Sequence, residues 1–141
     1  MLEAIRKERP DIVIHLGAHD RDCYRVRLDF PEVAVFAVQG NCDLGSAAPL
    51  EDIVSLGPVK AYITHGHMYN VKWGDYSSLA YAAMEQGAKI AMFGHTHEPY
   101  NCDIGSIKVL NPGTAGRGRL TTYAMVEVLD NGGIITEIKD L

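Results

Sequence analysis

The six histidines of this 141-residue chain fall into three short clusters, and each cluster ends or directly follows a predicted β-strand. Four strand ends carry the motifs HLGAHD, GNCD, THGH and GHTH, at residues 15–20, 40–43, 64–67 and 94–97. Random placement of six histidines would give about 0.2 His-x-His pairs, whereas the sequence contains two. Since open α/β sheets bind ligands beyond the carboxyl ends of their strands, the pattern predicts an α/β fold with one convergent site.

The apolar pattern predicts α/β structure up to residue 99 and antiparallel hairpins beyond it. Short runs of β-branched residues that end in glycine are typical of buried strands, and one apolar stripe at helical spacing covers residues 76–84. Predicted strands cover residues 11–16, 33–38, 53–56, 59–64, 89–93, 100–103, 107–110, 123–129 and 134–138. Neither a repeat nor a linker divides the chain, so we expect one domain over residues 1–141.

Net charge and apolar content limit the classes of protein to which the chain can belong. A net charge of −5 argues against strong nucleic-acid binding, which requires a basic face. Because no apolar run could cross a bilayer and residues 1–10 lack the apolar core of a signal peptide, we expect a cytoplasmic protein that does not bind membranes. Three cysteines without a Cys-x-x-Cys pair indicate reduced thiols.

The side chains at the predicted strand ends are suited to a divalent transition metal. The imidazoles of His65, His95 and His97 and the amide oxygen of Asn41 would meet across the top of the sheet, and such donors bind Mn, Fe, Ni or Zn. The alternative is that each histidine is structural, which would require three separate segments to agree by accident. His15 lies inside its strand, and for that residue we expect the structural role.

Taken together, the motifs GNCD, THGH, GHTHEP and NPGT resemble the calcineurin-like metallophosphoesterases, and within them the small bacterial and archaeal phosphodiesterases. The resemblance covers essentially the whole chain. It implies a β-sandwich flanked by helices, in the layer order α/β/β/α. It also implies two divalent ions, usually Mn with Ni, Fe or Zn as alternatives, that serve the hydrolysis of a small phosphoester substrate.

The resemblance also assigns roles to individual residues. It implies that Asn41, His65 and His95 hold one metal ion and that His97 helps to hold the other. Asn41 is followed by Cys42, at the position where the family commonly has a histidine that aids the leaving group. Cys42 could donate a hydrogen bond or proton there, or it could be a buried small residue.

Two parts of the family pattern have no counterpart in this sequence. The family opens with a strand that ends in Asp-x-His, and this chain starts after that point, so we expect an N-terminally incomplete domain. Ala18 stands where the family has the aspartate that bridges both ions, while Asp20 and His19 lie at the wrong offset to replace it. One ion would therefore keep three neutral ligands, and the other would keep only His97.

Two functions follow from this pattern. The first is a metal-dependent phosphoesterase, and more specifically a phosphodiesterase, in which metal-activated water attacks phosphorus. The alternative is a catalytically impaired module that acts in binding or assembly, as the retromer subunit of this superfamily does. A sheet without its opening strand would gain from a partner on its exposed edge, which leaves a homo-oligomer open.

The side chains that would contact a substrate are less certain than the metal ligands. Arg117 or Arg119 could contact a substrate phosphate, although a solvated charge is the simpler expectation. Tyr69 and Trp73 could stack on a base, but we expect them to pack against the fold. The sequence therefore predicts the reaction class and leaves the substrate open.

Overall fold

The structure is a computed structural model that describes residues 1–18, 20–116 and 118–141. Within these residues lie three α-helices, one 3₁₀-helix and nine strands. The helices are α1 Leu2–Glu8, α2 Asp20–Asp29 and α3 Ser77–Glu85, and the 3₁₀-helix is Asn70–Trp73. The strands are β1 Ile12–His15, β2 Ala34–Ala37, β3 Glu51–Leu56, β4 Val59–Thr64, β5 Ile90–Met92, β6 Tyr100–Ile104, β7 Ile107–Asn111, β8 Thr122–Val128 and β9 Ile134–Asp140.

A five-stranded sheet in the order β3-β4-β5-β7-β6 forms the centre of the molecule. Strands β4, β5 and β7 are parallel, whereas the flanking strands β3 and β6 are antiparallel to their neighbours. Ala61 pairs with Ile90, and Ile90 pairs in turn with Lys108. Because β4 and β5 run side by side in the same direction, the THGH and GHTH motifs emerge next to each other at one sheet edge.

A second layer covers one face of this sheet, and it consists of the parallel pair β1-β2 and the antiparallel pair β8-β9. The apolar residues between the two layers form one buried cluster. It contains Val38, Val54, Ala61, Ile63, Ile90, Met92 and Leu110, with residues of β1, β2, β8 and β9 packed against it. Removal of this apolar surface from water is the main force that holds the two sheet layers together.

Helices cover the two outer faces. Helix α3 packs on the other side of the five-stranded sheet through Leu79, Ala80 and Ala83. Helices α1 and α2 pack against β1 and β2 through a smaller cluster that includes Ile5 and Val26. The layer order is therefore α/β/β/α, and the predicted fold class, a β-sandwich flanked by helices, is confirmed.

Strand β1 differs from the sequence prediction in its burial. The run of β-branched residues predicts a fully buried strand, but Ile12, Val13, Ile14 and His15 are all only half-buried. Among the described residues, β1 pairs with β2 alone, so its other edge has no neighbouring strand to cover it.

Within residues 1–18, 20–116 and 118–141, no helix is long and apolar enough to cross a membrane.

Candidate metal centre

Three of the four predicted metal-ligating side chains lie together at the carboxyl ends of the strands. His65 directly follows β4, His95 lies three residues beyond the end of β5, and Asn41 lies in the turn after β2. The backbone N–H of Gly94 donates to the carbonyl of His65 at 3.0 Å, which holds the two histidine-bearing turns side by side. The sheet thus positions this trio from three separate segments.

The orientation of the His65 ring is set by the backbone of another strand end. Its Nδ1 lies 2.6 Å from the carbonyl oxygen of Leu16, and because a carbonyl only accepts, Nδ1 must carry the hydrogen. The Nε2 lone pair of the neutral ring therefore points toward Asn41 and His95. Nε2 lies 3.1 Å from Asn41 Oδ1 and 3.2 Å from His95 Nδ1.

Both imidazoles of the trio favour the neutral form. Burial lowers the pKa of His65. Burial, together with the neighbouring His65 ring and the Lys72 ammonium, lowers the pKa of His95 to about 4. Because only a neutral imidazole offers a lone pair to a cation, the two rings are in the form that metal binding requires.

Asp43 fixes the turns that carry Asn41 and Ala18. Its Oδ2 accepts hydrogen bonds from the backbone N–H groups of Ala18 at 2.8 Å and Gly40 at 2.9 Å. A Cβ on Gly40 would lie 2.6 Å from the Ala18 nitrogen, so only glycine allows these turns to approach. Sequence reasoning did not assign a role to Asp43, although its place in the GNCD motif was the available signal.

Asn111 of the NPGT motif fixes the GHTH turn in the same way. Its Nδ2 donates to the carbonyl of Gly94 and to Oγ1 of Thr96, both at 3.0 Å. The turn needs this support because His95 and His97 have φ values of 66° and 61°, in the left-handed region that non-glycine residues seldom adopt. Asn111 is fully buried, and it is a second positioning residue to which the sequence did not assign a role.

His67 lies beside the trio, although the sequence analysis placed it in a cluster without a role. Its ring centroid lies 5.5 Å from that of His65 and 6.2 Å from that of His95. Within the described part of the chain, its buried Nδ1 has no hydrogen-bond partner. The centre therefore contains three neighbouring imidazoles.

The other residues singled out from the sequence are less closely joined to the trio. His97 is exposed, and it acts electrostatically on His65 and His95. Cys42 is also exposed, so of the two alternatives for this residue the buried small residue is wrong. Its role at the leaving group stays a prediction.

Of the two candidate phosphate contacts, Arg119 is exposed, whereas Arg117 lies outside the described residues, as does His19.

The donor atoms of the trio fit one divalent ion. Metal–nitrogen distances of roughly 2.1 Å place neighbouring donors about 3.0–3.4 Å apart, and the separations observed here are 3.1 and 3.2 Å. Across residues 1–18, 20–116 and 118–141, no three His, Cys, Asp or Glu side chains are arranged to hold a metal ion. The set of three donors is therefore complete only with the amide oxygen of Asn41.

A second ion does not fit the residues present. Ala18 offers no side-chain donor, and the exposed His97 is joined to the trio by no ring contact or hydrogen bond among the described residues. The observed arrangement thus supports one ion with neutral ligands and an otherwise open coordination sphere.

Comparison with known proteins extends this description. The family model of the calcineurin-like phosphoesterase superfamily domain matches residues 1–131. A Methanothermobacter thermautotrophicus protein named "Probable metallophosphoesterase" is 30% identical over 133 residues, which span 92% of this chain and 76% of the relative.

Two solved structures have similar folds. The fold resembles that of wild-type Vps29 from Entamoeba histolytica complexed with Zn²⁺, with a TM-score of 0.76 and 22% identity over 99% of this chain and 87% of that chain. A predicted phosphoesterase from Streptococcus pneumoniae has a TM-score of 0.71 and 25% identity, over 99% and 88% of the two chains.

Proposed function

Since the chain belongs to the calcineurin-like phosphoesterase superfamily, we propose that it hydrolyses phosphoester bonds, and specifically phosphodiesters, with one divalent cation held by Asn41, His65 and His95. The observation that carries the proposal is that His65 Nε2 lies 3.1 Å from Asn41 Oδ1 and 3.2 Å from His95 Nδ1. Mn²⁺ is the cation proposed, with Zn²⁺, Ni²⁺ and Fe²⁺ as alternatives that the same donors accept. The proposed setting is the cytoplasm.

The protein's own residues prepare the site before any substrate binds. The hydrogen bond from His65 to Leu16 fixes the tautomer and the ring plane, which raises the ligand strength of Nε2. Asp43 and Asn111 hold the turns that bear Asn41 and His95. A bound divalent cation supplies charge stabilisation for phosphoryl oxygens and lowers the pKa of water.

Two further side chains are proposed to act on the substrate. The exposed Cys42 thiol, next to Asn41 in the chain, would donate a hydrogen bond or a proton to the leaving oxygen. The exposed His97 imidazole is proposed to hold a phosphate oxygen of the substrate. Both side chains are open to solvent and can therefore meet a small phosphoester.

A second candidate function is that of a binding module in which the fold is kept and catalysis is weak or lost. The observation that favours it is the absence of a side-chain donor at Ala18, which leaves the trio without a carboxylate to offset the charge of the ion. The fold likeness to Vps29 proteins is compatible with this candidate.

Hydrolysis of a generic aryl phosphodiester, bis(p-nitrophenyl) phosphate, tests the proposal. The wild-type chain with added Mn²⁺ is expected to release nitrophenol, whereas His65→Ala is expected to lose that activity. His15→Ala is the matched control, since it removes an imidazole that lies outside the trio, and circular dichroism of all three proteins monitors folding. Equal rates for wild type and His65→Ala would rule out the metal mechanism and favour the binding module.

A further inference from the structure

The end of the central sheet opposite the candidate metal centre carries a cavity rich in lysine. Three of the six lysines of the chain line it: Lys60 in β4, Lys89 directly before β5, and Lys108 in β7. We call this cavity the lysine cleft. His65 follows Lys60 by five residues along β4, which is about 17 Å of extended chain. The lysine cleft is therefore separate from the trio at the carboxyl ends of the strands.

Backbone pairing places the three lysines side by side. The N–H of Lys89 donates to the carbonyl of Lys60 at 2.9 Å, and the N–H of Lys108 donates to the carbonyl of Lys89 at 3.0 Å. Since Ala61 pairs with Ile90 in the parallel ladder, Lys60 and Lys89 lie opposite each other and project from the same face of the sheet. Neighbouring strands are about 4.8 Å apart, so these two side chains leave the sheet as close neighbours.

Three turns form the walls of the lysine cleft. They are the β3–β4 turn with Pro58, the β6–β7 turn with Gly105 and Ser106, and the β8–β9 turn with residues 130–132. The cleft has a volume of about 690 Å³, which is within the usual range for small-ligand sites. A ligand that enters between the turns would reach all three lysines, because they line the same space.

Carboxylates balance only part of the positive charge of the cleft. Lys108 Nζ lies 3.0 Å from Asp103 Oδ1, in an ion pair open to water because the Asp103 side chain is 64% exposed. Asp130 also lines the cleft. Lys60 and Lys89 are exposed, and within the described part of the chain neither has an ion-pair partner. Like charges opposite each other on a sheet are destabilising, and an anion that contacts both ammonium groups would remove this repulsion.

We propose that the lysine cleft binds ligands that carry two or more adjacent phosphate groups. Lysine binds phosphate as a point charge, and an oligophosphate chain presents several anionic oxygens along its length. Lys60 and Lys89 would bind neighbouring phosphates, while Lys108 would exchange the Asp103 carboxylate for a further phosphate oxygen. The site is distinct from the proposed phosphoesterase centre, and binding there requires no metal ion at the trio.

Calorimetric titration of the metal-free full chain with tripolyphosphate and, separately, with orthophosphate tests the proposal. One tripolyphosphate per chain is expected to bind. Orthophosphate should bind roughly 2- to 30-fold more weakly, because it forgoes about two exposed charge contacts. No saturable binding of tripolyphosphate, or equal affinity for the two anions, would overturn the proposal. Lysine-dependent binding of poly-L-glutamate in its place would indicate an acidic protein partner instead.

Variants assign the binding to the lysines. Lys60→Gln and Lys89→Gln are each expected to weaken tripolyphosphate binding about 1.5- to 5-fold, and the double variant should approach the affinity for orthophosphate. Lys7→Gln is the matched control, since it removes an exposed lysine of α1, and it should leave the affinity unchanged. Weakening by Lys7→Gln as large as that by Lys60→Gln would reveal a general response to net charge and overturn the local site.

Asp103→Asn is expected to change the affinity in the opposite direction. It releases Lys108 from its ion pair and removes a charge that repels the anion, so tripolyphosphate should bind about 1.5- to 5-fold more tightly. Glu3→Gln, at an exposed position of α1, makes the same change in net charge and should have no effect. An unchanged affinity in Asp103→Asn would contradict the part assigned to Lys108.

The lysine cleft and the proposed phosphoesterase activity can fail separately. His65→Ala is expected to bind tripolyphosphate as wild type does, and loss of binding in that variant would place the anion at the trio and overturn the cleft. Lysine-dependent binding by a chain that shows no metal-dependent hydrolysis would remove the proposed activity and leave the cleft.

Discussion

His65 donates its Nδ1 hydrogen to the carbonyl oxygen of Leu16 at 2.6 Å, and this bond joins the end of β4 to the loop that follows β1. It connects the two sheet layers at the candidate centre and directs the Nε2 lone pair toward Asn41. A strand end in one layer thus sets the chemistry of a side chain in the other.

Close approach of these two layers depends on Gly17. Its φ is +100°, and an added Cβ would lie 2.5 Å from His65 Nδ1. We predict that Gly17→Ala lowers the free energy of unfolding by roughly 2–4 kcal/mol through strain and collision. Gly57→Ala is the matched control, because Gly57 also has a positive φ but an added Cβ there would meet no atom within 4 Å. This substitution is expected to lower the free energy of unfolding by about 1–2 kcal/mol. If urea denaturation gave the same loss of unfolding free energy for both variants, the backbone at residue 17 would not be in tight contact with His65.

Asn111 is expected to contribute to both stability and metal binding. Asn111→Ala removes the donor that serves Gly94 and Thr96, which leaves buried polar groups unpaired at a cost of about 2–3 kcal/mol. The looser turn should also weaken Mn²⁺ binding through His95. The control is Asn101→Ala, because the exposed amide oxygen of Asn101 accepts a hydrogen bond from Thr136 at the surface; this substitution should lower the free energy of unfolding by no more than about 0.5 kcal/mol. An unchanged Mn²⁺ affinity in Asn111→Ala would contradict the positioning role.

Ala18→Asp is predicted to strengthen metal binding. Ala18 has a φ of 62°, a conformation that aspartate tolerates better than alanine, and its N–H is already held by Asp43. Two carboxylates at this point repel each other in the absence of a cation, so the metal-free variant should melt at a lower temperature than wild type. Added Mn²⁺ should reverse that order and raise turnover. A thermal scan in which Mn²⁺ stabilises both proteins equally would mean that residue 18 does not face the ion.

The contact between α1 and the β8-β9 hairpin should depend on pH. Hydrogen bonds from Lys139 at 2.9 Å and Tyr123 at 2.7 Å lower the pKa of Glu8 below its usual value. Because the folded-state pKa is depressed, this contribution to stability is present above the unfolded-state pKa and is lost as the pH falls through the folded one. Urea midpoints of Glu8→Gln should therefore vary less with acid than those of wild type. Glu3→Gln on the same helix is the control, and an identical acid dependence of Glu8→Gln and wild type would contradict the assignment.

The sequence predicts the individual strands because strand periodicity and strand-end glycines are local signals, whereas the order of the layers was implied by the family resemblance. The THGH and GHTH motifs predict that these strand ends converge, and the parallel pairing of β4 with β5 brings His65 next to His95. The half-burial of β1 could not be predicted from residues 11–16, since burial of a strand depends on neighbours that are distant in the chain.

Within the site, the sequence pattern identified the candidate metal ligands but not the residues that hold those ligands in position. Asn41, His65 and His95 are found together, as predicted, while their role as ligands stays a prediction. Asp43 and Asn111 bond to backbone groups of other segments, and such partners are set by tertiary structure. Trp73 illustrates the opposite error: an aromatic residue in a short loop is usually packed, but the anchoring of the 3₁₀-helix by Val71 leaves the indole outside.

The central claim is that Asn41, His65 and His95 hold one divalent cation. Calorimetric titration of the metal-free chain with Mn²⁺ and then Zn²⁺ tests it most directly. The account predicts binding of one ion per chain in wild type and in His15→Ala, and loss of that binding in Asn41→Ala and His65→Ala while the circular dichroism spectrum is kept. Failure of the wild-type chain to bind either ion, or undiminished binding by His65→Ala, would contradict it.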